Sequence, residues 1–140
     1  MKQLTKMPVA DLHQLFSSLP FERRHDSGEW GDFEYKHARP CASADGSFAL
    51  EVRHETRHKL TLRGDTVWGA DEFMLILEGS VELTDGKGDI TRIEAGEALF
   101  IPADWQGEWC TDGNKRLSVT RQMAAASGQE GLLEERYAYR

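Results

Sequence analysis

Glu72 stands at the head of the apolar run Phe73 to Leu77, four residues after Trp68 and two before Met74. A carboxylate at the mouth of a buried strand must be paired, metal-bound or solvated in a pocket. In apolar surroundings it can serve as a general base, beside a polar molecule as an anchor, and with other donors as a metal ligand. The plainer alternative is an ion pair with an arginine from a neighbouring strand, such as Arg121 or Arg63. His54 and His58 lie four residues apart on one parity of an alternating segment. On an extended strand that is about 13 Å, too far for both to hold one ion. Either could join Glu72 from an adjacent strand, although half-buried histidines without a function are commoner. His13, His25 and His37 have no ligand spacing. No Ser-His-Asp order, Gly-rich phosphate loop or Walker-type lysine accompanies them.

The elements that must position these residues are short strands. Residues 8–19 carry Leu12, Leu15, Phe16 and Leu19 at helical spacing, with Asp11 expected to cap the helix and Pro20 to stop it. Trp30, Phe33 and Tyr35 suggest a strand within the polar segment 21–40, as an edge strand or an exchanged arm. From Phe48 to Leu62 the chain alternates. Phe48, Leu50, Val52, His54, Thr56, His58, Leu60 and Leu62 share the apolar parity, and Glu51, Arg53, Glu55, Arg57, Lys59 and Thr61 take the other, whose charged stretch 51–59 is expected to face solvent or a dimer contact. Further strands are expected at 73–77, 81–84, 90–93, 98–101, 105–110 and around 117–119. Turns at 78–80, 85–88, 94–97, 103–104 and 111–114 separate them. Regular short strands with Gly- and Asp-rich turns and one short helix argue an antiparallel sandwich or barrel. Residues 123–140 are expected to form a tail or a short docked helix.

The 140 residues suit one domain, divided into an N-terminal helix and arm at 1–40, a barrel at 41–122 and the tail at 123–140. With 17 basic against 24 acidic residues the net charge is -7, and no basic block is present. No nucleic acid and no anionic membrane surface is expected as a partner. The absence of an apolar leader or a long apolar run points to the cytoplasm and away from a membrane. Cys41 and Cys110 are expected as free thiols, with no metal motif between them.

The spacing of several residues resembles the cupin family. Its first motif, G(x)5HxH(x)3-4E(x)6G, is matched in its second half by Glu72, six residues and Gly79. Its second, G(x)5PxG(x)2H(x)3N, is matched at its start by Gly96, five residues and Pro102. More narrowly, the strings around Glu72 to Asp85 and Ala95 to Trp109 resemble the branch that includes ureidoglycine aminohydrolase and the ethanolamine-utilisation cupins. Gly107-Glu108-Trp109 matches the Gly-x-Trp that this branch often shows. The resemblance implies an all-β antiparallel jelly-roll barrel with a short N-terminal helix.

It also implies a degenerate metal site. The two histidines of the first motif fall on Thr66 and Trp68, and that of the second on Gly107. The second motif's glycine is Asp104, its closing asparagine is Thr111, and Leu60 stands where the first motif opens with glycine. Glycine has no ligand atom and indole only donates, so no cofactor is expected at the usual positions. A divalent Mn, Zn or Fe ion on Glu72 with His54 or His58 is the alternative. Thr66, Trp68, Glu72, Met74, Gly107 and Trp109 are expected around the barrel interior. They form either a small-molecule pocket with an aromatic wall or a core plugged by the two tryptophans. Three functions follow as expectations. One is a binding barrel for a small polar organic molecule, expected as a homodimer through its N-terminal strand. The others are a metal-dependent enzyme resembling ureidoglycine aminohydrolase, and a non-catalytic structural or regulatory module.

Overall fold

The computed structural model describes residues 4–26 and 28–122. The expected tail at 123–140 lies outside them. Among the described residues one helix, α1 (Val9–Ser18), is followed by seven strands: β1 (Glu22–Arg24), β2 (Phe33–Ala42), β3 (Phe48–Leu62), β4 (Ala70–Asp85), β5 (Ile90–Glu94), β6 (Ala98–Ile101) and β7 (Gly107–Gln122). All pairings are antiparallel, in the order β1-β2-β3-β7-β4-β5, with β6 also on β4. The result is a small antiparallel β-barrel of jelly-roll type.

Four local expectations need correction. Asp11 lies inside the first helical turn, and the N-cap is Pro8, whose carbonyl accepts from the Asp11 and Leu12 amides. β2 is an edge strand only in part and not an exchanged arm: β3 of the same chain pairs with its inner side, the three-residue strand β1 covers its outer side from Phe33 to Tyr35, and beyond Tyr35 that side has no strand partner among the described residues. Trp30 precedes β2, and the Arg57 guanidinium lies over its ring at 3.7 Å. The expected turns at 78–80 and 111–114 are bends within the long strands β4 and β7, where the β4–β7 register shifts between Ile76 and Glu78 and again between Ser80 and Glu82.

Those bends make a barrel from long strands. On β4 the buried positions run Glu72, Met74, Ile76 and then Val81, Leu83, so the inward parity changes at the bend. β7 changes between Thr111 and Asn114, and β3 between Glu55 and His58. All three strands therefore turn a corner at the same level, and each serves two faces of the barrel. Gly79 and Gly113 meet there. A Cβ on Gly79, whose φ is +78°, would collide with the Gly113 carbonyl oxygen. Glycine is required because two backbones touch where the chain bends.

The change of parity overturns the expected sidedness of the first half of β3. Glu51, Arg53 and Glu55 are buried, whereas Phe48 is 47% exposed. Beyond the bend the expectation holds, with His58, Leu60 and Leu62 buried and Thr61 exposed. Helix α1 explains much of the apolar outer parity before the bend: Leu12 and Phe16 pack on Val52, with Leu77 and Leu117 alongside. An apolar strand face need not be the barrel's inside when a helix lies over it.

Candidate functional site in the barrel interior

The interior has an apolar part and a charged part. Trp68, Met74, Ile76, Leu83, Ile101 and Trp109 belong to one buried cluster. Its centre is the Trp68–Trp109 pair, whose ring centroids lie 5.0 Å apart with planes at 31°. Burying two indoles supplies several kcal/mol, about 3–5 for removal of either.

Glu55 organises the charged part. Its Oε2 accepts from Arg53 Nε at 2.7 Å, and its Oε1 from Arg116 Nη1 at 2.6 Å and from Asn114 Nδ2 at 3.3 Å. Arg53 and Arg116 are direct cross-strand partners of β3 and β7. Two opposed guanidiniums would repel each other, and Glu55 between them removes the repulsion. Burial pushes the Glu55 pKa up, but the charges of Arg116, His58 and Arg53 more than reverse this and hold it at about 2. The Arg53 guanidinium also covers the Tyr35 ring at 4.6 Å, and that of Arg116 covers Trp109 at 4.9 Å.

Glu72 joins the two parts. Its Oε1 accepts from Trp68 Nε1 at 3.3 Å, its Oε2 from Ser118 Oγ at 2.9 Å, and Arg116 Nε lies 3.8 Å from Oε2. The arginine of the expected ion pair is thus Arg116, not Arg121 or Arg63. Arg121 is exposed and opposite Asp71, and Arg63 is exposed near the Gly64 turn.

The structure gathers Trp68, Glu72, Met74 and Trp109 inside the barrel, all at most 2% exposed. Thr66 is not among them: it is exposed, and its carbonyl accepts from Gln106 Nε2 at 3.0 Å. Gly107 is half-buried at the barrel's end, with φ +153°, where a Cβ would collide with the Thr84 carbonyl oxygen. His54 belongs to the outer face, its ring 6.2 Å from that of Phe16 and 5.3 Å from that of Phe21. His58 is inside, stacked on Phe33 at 3.9 Å, with Nε2 3.9 Å from Glu55 rather than at Glu72. The alternative trio Glu72, His54 and His58 is therefore not assembled.

The donors at the family's metal positions do not fit a metal ion. Thr66 is turned to solvent, Trp68 offers an N–H donor, Gly107 offers no side chain, and Glu72 already accepts two hydrogen bonds. Among the described residues no group of three His, Cys, Asp or Glu side chains is placed to hold one.

The interior carries one feature with a bearing on binding. Trp109 Nε1 is buried and has no hydrogen-bond partner among the described residues. An unmet indole N–H in an interior with charged walls costs stability until an acceptor arrives. Sequence reasoning missed Glu51, Arg53, Glu55, Asn114 and Arg116. The available signal was the alternation of sign at every second residue, Glu51-Arg53-Glu55, opposite Ser118, Arg116 and Asn114.

Residues 62–114 match the family model of the EutQ-like cupin domain. The fold is similar to that of the EutQ protein of Clostridium difficile, at 17% identity over 71% of this chain and 75% of that one, with a TM-score of 0.52. It is similar to an ectoine synthase from P. lautus, at 17% identity over 72% of either chain and a TM-score of 0.51. A protein of unknown function of the DUF861 family, from Pseudomonas syringae pv. tomato, gives a TM-score of 0.59 at 14% identity, over 74% of this chain and 44% of that one. These likenesses are of fold. No curated protein matches the chain.

Proposed function

We propose that this chain, whose residues 62–114 match the EutQ-like cupin domain, is a binding barrel that holds a small polar organic molecule without a metal ion. The observation that carries this reading is the buried, unpartnered Nε1 of Trp109. The molecule's acceptor, a carbonyl or carboxylate oxygen, takes that hydrogen. Glu72, already oriented by Trp68 and Ser118, takes a donor such as an amine or amide N–H. The Arg116 guanidinium above Trp109 favours an acceptor of negative character at that end.

Thermal unfolding with a panel of amino acids, ureides, amino alcohols and small carboxylates tests the reading, each with and without a chelator. A member that raises the midpoint equally with and without the chelator supports it. A rise that the chelator abolishes would restore the metal-dependent reading.

One observation favours a second function, a non-catalytic module with a filled interior. Trp68 and Trp109 lie against each other and pack with Met74 and Ile76, both fully buried. In that case no member of the panel moves the midpoint.

A further inference from the structure

A molecule that reaches the unpartnered Nε1 of Trp109 must pass a wall that opens, because Trp109 and Trp68 are both buried. The walls differ in what opening breaks. β7 is in register with β3 from Leu62 to Phe48 and with β4 from Ala70 to Asp85, so parting either pair breaks a ladder of backbone hydrogen bonds. In the charged part of the interior, Glu55 is shared by Arg53 and Arg116, and parting them leaves buried charges unpaired. A third wall consists of two short connections, residues 63–69 from β3 to β4 and 102–106 from β6 to β7. Trp68 N donates to Trp105 O at 3.0 Å. The Gln106 carboxamide ties the same two connections, its Nε2 donating to Gly64 O at 2.6 Å and to Thr66 O at 3.0 Å. Beside these bonds the half-buried Trp105 ring packs on the apolar cluster and meets Trp68 edge to face, their centroids 6.3 Å apart.

We propose that residues 104–106 are a lid on this site, with Trp105 as its seal and Gln106 as its latch. Resting on the binding-barrel reading, this assigns the way in to Trp109. Ala103 is the hinge: it is buried, its amide held by Asp71 Oδ1 at 2.9 Å and its carbonyl by Gly69 N at 2.8 Å. Beyond it, opening parts the Trp68 bond and the two Gln106 bonds and lifts one aromatic ring. Local openings come from the least bonded part of a fold, and this one leaves the strand ladders closed. Trp105, Trp68 and Trp109 then lie in order from the half-buried ring to the buried N–H. Gly107 leaves the Trp105 ring room to close, since a Cβ there would stand 2.7 Å from its Cζ2. The glycine that takes the place of the second motif's histidine thus also seats the lid.

Deuterium exchange of the Trp109 Nε1 proton, followed by NMR on the nitrogen-labelled full chain and identified by its absence in Trp109→Phe, tests this without a ligand. In the wild type the exchange rate is expected to change little with urea, as for an opening that exposes little surface. Gln106→Ala is expected to speed it about ten- to thirtyfold, the worth of two hydrogen bonds. Gly79→Ala, which strains the barrel's corner, is expected to speed the slowest amides of β3 and β7 but to leave this proton's rate within about twofold. A urea dependence as steep as that of the slowest amides overturns the lid, since only global unfolding would then reach Trp109. So does a rate that Gln106→Ala leaves unchanged. The binding reading fails separately, when no member of the panel moves the unfolding midpoint although the lid opens as expected.

Discussion

Arg116 Nη1 lies 2.6 Å from Glu55 Oε1, and both side chains are 1% exposed. This pair crosses from β7 to β3 inside the barrel, and Arg53 reaches the same carboxylate from its own strand. Three charged side chains that would be expensive singly are affordable together because one anion serves two cations. The barrel's interior chemistry rests on this cluster, since Arg116 also reaches Glu72 and covers Trp109.

Removing the shared anion leaves two buried guanidiniums facing each other. Glu55→Ala is expected to destabilise by about 3–5 kcal/mol in urea unfolding. Arg57→Ala, two residues away and 59% exposed at its side chain, loses only its contact with the Trp30 ring and a surface ion pair and is expected to cost no more than about 1 kcal/mol. Equal effects from the two would contradict the buried cluster.

The same carboxylate makes stability depend on pH. Its pKa is about 2 in the folded chain and about 4.3 when unfolded. The folded value is the lower, so the stabilisation is complete above about pH 4.3 and is lost as pH falls toward 2. The loss is on the order of 3 kcal/mol. His54 adds to it from higher pH. Burial, and then Lys115 and Lys36, lower its pKa, so charging it as pH falls below about 6.5 also disfavours the fold. Urea midpoints should fall from pH 6.5 downward, and the steepest part below pH 4.3 should flatten in Glu55→Gln.

At the corner of the barrel, Gly79→Ala is expected to cost about 3 kcal/mol. A positive φ contributes about 1–2 of that, and the collision with the Gly113 carbonyl the rest. Gly64→Ala shares the positive φ but meets nothing within 4 Å, so only the first part applies. Chemical denaturation of the two variants separates the terms.

Much of the fold was legible because turn residues and alternation are local signals. α1, β3, β5 and β6 stand within a few residues of where periodicity puts them, whereas β2 begins at Phe33 and runs on to Ala42, well past Tyr35 where the aromatic pattern stops, and Glu72, Gly79, Gly96 and Pro102 carried the resemblance. Less legible was anything decided by the barrel's corner. Gly79 and Gly113 look like hairpin turns in one dimension, yet they let a strand bend and continue. A bend that shifts the inward parity by one residue exchanges the two faces of everything beyond it. That is why Glu51, Arg53 and Glu55 read as a solvated face when they are the interior, and why Phe48, Leu50 and Val52 read as core when they lie on the outer face that a helix partly covers. Thr66 was misplaced for a related reason: motif spacing counts residues, and the turn at Arg63 to Thr66 points the side chain away.

The measurement that bears most directly on the binding barrel compares thermal unfolding of the wild-type chain, Trp109→Phe and Glu72→Gln against the panel of small polar metabolites, with chelator present throughout. Trp109→Phe keeps an aromatic ring and removes the unpartnered N–H together with the five-membered ring, so the packing loss is read from the variant's midpoint without ligand and the loss of the N–H from the ligand-induced rise. At ten times its dissociation constant a ligand adds about 1.4 kcal/mol, a rise of roughly 4–5 °C for a chain of this size. The account predicts such a rise in the wild type and less than half of it in either variant. No rise from any member in the wild type, or an undiminished rise in Trp109→Phe, would contradict it.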